Sequence, residues 1–81
     1  MRCHICNTSP TDTCHIRSKG AGGPNQEWNY MYLCRKHHQE QHRVGIVTFV
    51  ERHPEVREYI ARSGWSVVLE LGQKKLRRSR S

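Results

Sequence analysis

The stretch Asn29-Tyr30-Met31-Tyr32-Leu33-Cys34-Arg35-Lys36-His37-His38-Gln39-Glu40-Gln41-His42 decides how this chain folds. Its first half is aromatic and apolar, which suits a short strand. Its second half is polar and leads to Gly45, where a helix from about Cys34 to Arg43 would stop. That helix carries four metal-ligating side chains: Cys34, His37, His38 and His42. Residues three or four apart share a helix face, so Cys34 pairs with His37 and His38 with His42. His37 and His38 project roughly 100° apart around the axis, too far to share an ion. One helix is therefore expected to serve two sites.

The first site closes with residues far away in sequence. Cys3 and Cys6 are spaced as a Cys-x-x-Cys before the turn formers Asn7, Thr8, Ser9 and Pro10. Together with Cys34 and His37 they make a three-cysteine, one-histidine set for a tetrahedral structural zinc ion. A chain of 81 residues, 35% of them hydrophobic, buries little core and needs such a staple. Four cysteines also allow disulfides. The ligand-like spacing, and a start (Met1-Arg2-Cys3-His4-Ile5-Cys6) without a signal-peptide apolar region, favour zinc in a cytoplasmic, thiol-reducing compartment. His4, inside the knuckle, is expected to be exposed.

The second site needs partners for His38 and His42. Upstream, Asp12 to Arg17 reads as a short strand. The Gly-rich segment Ser18 to Gln26 reads as a loop, and residues 27–33 as the returning strand. This loop lacks the Gly-Lys-Ser/Thr ending of a phosphate-cradling nucleotide loop. Strand, loop, strand and helix make a ββα unit. Cys14 and His15 lie across the hairpin from the helix, and as strand neighbours they face opposite sides. One of them is expected to face the second site.

Downstream, residues 46–64 read as two helical pieces broken at His53-Pro54. Val56, Tyr59 and Ile60 form a core stripe, and Gly64 sits at a capping position. His53 reads as a helix-entry residue rather than a ligand. Trp65, Val67, Leu69 and Leu71 alternate onto one side of a short strand or extended segment. No apolar run approaches the roughly 20 residues of a membrane helix.

The net charge is +7, and it is unevenly placed. Residues 72–81 hold Lys74, Lys75, Arg77, Arg78 and Arg80 and no acid. This reads as a basic, flexible tail, either a solubilising end or a binder of phosphate backbones.

His15-Ile16-Arg17, the Gly-Gly loop, Asn29 and the run Leu33-Cys34-x-x-His37-His38-x-x-x-His42 resemble the HNH nuclease superfamily, most closely its small phage-type members. The likeness covers roughly residues 3–45. It implies a small α+β protein with a treble-clef-like ββα-metal core, here residues 1–45, stapled by zinc. A helical and extended packing segment, 46–71, then belongs to the same domain, and 72–81 is the tail.

The resemblance further implies a metal-dependent endonuclease that nicks or cuts DNA with low sequence specificity. His15 matches the general base and Asn29 the residue that orients it. His38 and His42 match the ligands of a catalytic divalent ion (magnesium, manganese, nickel or zinc). Many relatives carry an Asp or His where this chain has Cys14, which is read either as a soft ligand, as a small buried residue, or as a substitute for His37 at the structural zinc. Arg17, Lys19, Arg43, Lys74, Lys75, Arg77 and Arg78 are candidate nucleic-acid contacts. The expected partner is DNA without a membrane. A homodimer suits double-strand cutting, because one ββα site cleaves one strand at a time. A phage-encoded protein acting in the host cytoplasm fits the same likeness. The alternative is a zinc-stabilised nucleic-acid-binding module without catalysis. A purely structural protein leaves the ordered His15, Asn29, His38 and His42 to chance.

Overall fold

The computed structural model describes residues 2–79. Strands β1 (Asp12–His15) and β2 (Tyr30–Leu33) form an antiparallel hairpin, with Asp12 opposite Leu33 and His15 opposite Tyr30. Helices α1 (Arg35–Val44), α2 (Ile46–Arg52) and α3 (Pro54–Ala61) follow. A second antiparallel hairpin, β3 (Trp65–Glu70) with β4 (Gln73–Arg78), closes the chain. Two hairpins thus flank three helices in a small α+β fold, with the ββα unit at residues 12–44.

Each boundary has a local cause. Cys34 caps α1 in extended backbone, and its carbonyl accepts from His38 N–H at 2.8 Å. Gly45 ends α1 at a φ of 88°, which only glycine adopts cheaply. Pro54 opens α3 in the first turn, where its missing N–H costs nothing. Residues 27–29, expected in the returning strand, instead form a 3-10 turn, because Asn29 turns inward and binds the loop. No helix among the described residues is long and apolar enough to cross a membrane.

The core unites Met31 and Leu33 of β2, Phe49 and Val50 of α2, Val56 and Ile60 of α3, Trp65 of β3, and Cys3, Cys14 and Ile16. His4 departs from expectation. Its ring is half-buried, stacked on Tyr59 at 3.8 Å between centroids and edge-on to Tyr32. The two tyrosines form a slot for it.

The end of the chain departs further. Gln73–Arg78, read as part of a flexible tail, is a strand paired along all of β3. The two-residue turn Leu71-Gly72 has φ values of 50° and 77°, the left-handed pair a tight hairpin requires. Leu76 packs against the core and anchors β4. Leu69 and Leu71, expected on one side with Trp65, stand exposed near and at the hairpin tip. Arg80 and Ser81, the rest of the expected tail, lie outside the described residues.

Candidate metal centre and adjoining cleft

The knuckle at the N-terminus is preformed. Asn7 N–H donates to the Cys3 carbonyl at 3.0 Å and Cys3 N–H to the Thr8 carbonyl at 2.9 Å. Its Sγ atoms meet the start of α1. Cys3, Cys6, Cys34 and His37 place one donor atom each within 4.8 Å of all the others. His37 Nδ1 lies 3.7 Å from Cys3 Sγ, 3.7 Å from Cys6 Sγ and 3.2 Å from Cys34 Sγ. Tetrahedral zinc with Zn–S of about 2.3 Å and Zn–N of about 2.0–2.1 Å sets donor atoms roughly 3.5–3.8 Å apart, so the set fits. Cys6 and Cys34 Sγ are 3.6 Å apart, far beyond a disulfide bond of about 2.05 Å.

The electrostatics favour a thiolate at Cys6. Thr8 bonds Cys6 Sγ at 3.0 Å and, with neighbouring Cys3 and Cys34, brings the Cys6 thiol down to about 6. Cys34 sits at the N-terminus of α1. Behind the cluster, the His37 ring packs edge-on to His53 at 5.5 Å. His53 Nε2 in turn bonds both Glu40 oxygens, at 3.0 and 3.1 Å.

Cys14 is not one of the four. It is 2% exposed within the core. Burial, reinforced by the charge of Asp12, pushes its thiol up to about 12, which keeps it protonated.

The neighbouring face of α1 opens onto a cleft of about 660 Å³. His38 and His42 line it from α1, His15 and Arg17 from β1 and the loop start, and Trp65, Lys74, Lys75 and Leu76 from the second hairpin. His38 Nε2 and His42 Nε2 converge to 3.0 Å. The other nitrogen of His38, Nδ1, lies 2.9 Å from Asp12 Oδ2. Arg35 Nε donates to the same oxygen at 3.0 Å. These partners, His38 first, hold the Asp12 carboxyl below its usual range.

His15 occupies the hairpin side. Its Nε2 lies 2.8 Å from Asn25 Oδ1. Since that oxygen accepts, the ring donates from Nε2, which leaves Nδ1 as the basic nitrogen. Asn29, expected to orient His15, bonds the backbone beside it. Fully buried, its Oδ1 accepts from Arg17 N–H at 2.8 Å and its Nδ2 donates to the carbonyls of Arg17 and Pro24, both at 3.0 Å. It ties the ends of the loop together just after His15. Gly23 is buried beside this clamp, and a Cβ there would overlap the Arg17 carbonyl.

Asp12 and Asn25 were not singled out by sequence reasoning. The signal for Asp12 is its register opposite Leu33, next to the start of α1. Among the candidate phosphate contacts, Arg17, Lys19, Lys74 and Lys75 line the cleft, Lys74 with its ammonium 2.8 Å from Glu51. Arg43, exposed in the last turn of α1, is not among the cleft-lining residues. Arg77 and Arg78 line a second concavity beside Trp28.

A family model described as "Putative HNHc nuclease" matches residues 1–70 of the chain. No curated protein and no solved structure matches it.

Proposed function

The chain belongs to the HNH nuclease family, and from that premise we propose that it is a metal-dependent endonuclease hydrolysing DNA phosphodiester bonds. One observation carries the reading furthest. Two imidazole nitrogens of α1 converge at 3.0 Å in a cleft that His15 also lines.

His38 and His42 would hold the catalytic ion, separate from the structural cluster of Cys3, Cys6, Cys34 and His37. Two imidazoles on one ion with bonds of about 2.1 Å stand roughly 3.0–3.4 Å apart, in keeping with the observed spacing. A divalent ion held there would polarise the scissile phosphate and stabilise charge on the leaving oxygen. Asp12 supports His38 from behind, fixing Nδ1 as the protonated nitrogen and presenting Nε2 to the cleft.

His15 is the general base. Asn25 holds its Nε2–H, so Nδ1 takes the proton from the attacking water. The water oxygen bonds to phosphorus as the opposite P–O bond breaks. Asn29 acts through the backbone, fixing the loop that carries Asn25 and the segment after His15. Lys19 and Lys75 give the cleft a positive wall for the strand.

The test is plasmid cleavage by the full chain with magnesium, manganese, nickel or zinc. Nicking by the wild type that His15→Ala loses supports the reading. Wild type cutting no better than His15→Ala under all four ions overturns it. Salt-dependent binding without cleavage would instead leave a nucleic-acid-binding module.

A further inference from the structure

A second concavity, of about 390 Å³, is lined by Arg17, Trp28, Trp65, Arg77 and Arg78. Arg17 and Trp65 line the main cleft as well, so the two hollows adjoin along them. The floor is rigid. Trp65 is 4% exposed and donates its Nε1–H to the Trp28 carbonyl at 2.8 Å.

The three arginines differ in what holds them. Arg77 is clamped by Glu70 through two bonds of 2.9 and 2.7 Å, so its charge is answered locally. Arg78 lies over the Trp28 ring, 4.0 Å from its centroid, and among the described residues spends only its Nε–H, on the Ser63 carbonyl at 2.7 Å. The contact holds the guanidinium against the ring and leaves the rest of its fork to an incoming acceptor. Arg17 is exposed, and among the described residues only its backbone is engaged, by Asn29. Among the described residues neither Arg17 nor Arg78 is in an ion pair with an acid.

Two guanidinium groups lining one hollow without an acid partner among the described residues, Arg78 over an indole, suit a phosphate diester, which accepts from planar forks. We infer that this hollow is a second anion subsite, taking a backbone phosphate of the substrate strand next to the one in the cleft. The inference rests on the nuclease reading above. It assigns a role to a hairpin whose second strand, Gln73–Arg78, lies beyond the residues matched to the family.

The experiment is fluorescence anisotropy of a labelled short DNA duplex with full-length His15→Ala protein, which holds the strand uncut, across about 50 to 200 mM salt. Each lost phosphate contact lowers the log–log salt slope by about one. Arg17→Gln and Arg78→Gln are each expected to do so and to weaken binding several-fold, while Arg77→Gln changes less. Arg17→Gln, altering an exposed side chain, keeps the test valid if Arg78→Gln lowers the melting temperature. Parent-like slopes in both variants overturn the subsite and leave the nuclease reading intact. Absence of duplex binding by the parent removes the nucleic-acid reading and the subsite with it. A titration with inorganic phosphate alone separates the remaining source. Saturation at millimolar phosphate, lost in Arg78→Gln, would make this a free-phosphate site and overturn the strand assignment.

Discussion

Asp12 Oδ2 lies 2.9 Å from His38 Nδ1, and the opposite nitrogen of the same ring faces His42. A carboxylate in this position fixes the tautomer of a metal-binding imidazole and raises its basicity. Asp12→Asn keeps the size and loses the charge. It is expected to raise the divalent-ion concentration for half-maximal cleavage about 10- to 100-fold. Arg35→Ala removes only an exposed partner of Asp12 and is expected to change it far less. Metal titrations of plasmid nicking check both, and equal requirements in Asp12→Asn and wild type would remove Asp12 from the site.

Asn25 and Asn29 both serve the hairpin loop, yet their loss should look different. Asn25 is exposed, and its recorded bond is to the His15 ring. Asn25→Ala is expected to cut turnover about 10- to 100-fold with little change in melting temperature. Asn29 is buried and satisfies three backbone groups. Asn29→Ala strands them and is expected to cost about 2–4 kcal/mol of stability. Thermal melts beside single-turnover rates separate the two. A destabilised Asn25→Ala would mean that Asn25 holds the loop rather than the base.

How far the sequence reached follows from what kind of signal each residue sends. Cys3, Cys6, Cys34 and His37 announce themselves by spacing, because a tetrahedral ion dictates it, and the four meet in the fold. The helix over residues 35–44 was legible from Cys34 at one end and Gly45 at the other. Asp12 was silent because its role depends on pairing register, which only the assembled hairpin fixes. Asn25 lies in a Gly-rich loop with no period to read. Strand β4 was hidden by its charge. Leu71-Gly72 is not the usual Asn-Gly turn signal, and a single leucine, Leu76, anchors a run of cations. The cleft wall it supplies therefore appears only in three dimensions.

A metal ion held by Cys3, Cys6, Cys34 and His37 would supply stability that a core this small lacks. Chelation at neutral pH, or Cys34→Ser, is expected to abolish the cooperative thermal transition, since a structural zinc site couples binding to folding. His42→Ala should leave that ion in place, because His42 is outside the four-ligand set. Metal content per chain with circular dichroism checks this. Two ions in the wild type and one in a folded His42→Ala are expected. A His42→Ala protein that loses the cluster ion would merge the two sites into one.

Glu40 links this stability to pH. Burial pushes its carboxyl up, but the His53 bonds and the Arg52 guanidinium outweigh that and hold it below its ordinary value. A depressed carboxyl stabilises the fold above its unfolded pKa of about 4.3. That contribution is lost as pH falls through the lower, folded value. Glu40→Gln keeps an acceptor for His53 but removes the charge. It is expected to cost about 1 kcal/mol at neutral pH, with the gap to wild type closing as acid protonates Glu40 in the wild type. Because His53 backs the His37 ring, the variant should also release the cluster ion at a slightly higher pH. Urea melts of the metal-loaded protein at neutral pH, with metal content read alongside, check the first point. Wild-type stability in Glu40→Gln there would mean that the Glu40 charge contributes nothing to the fold.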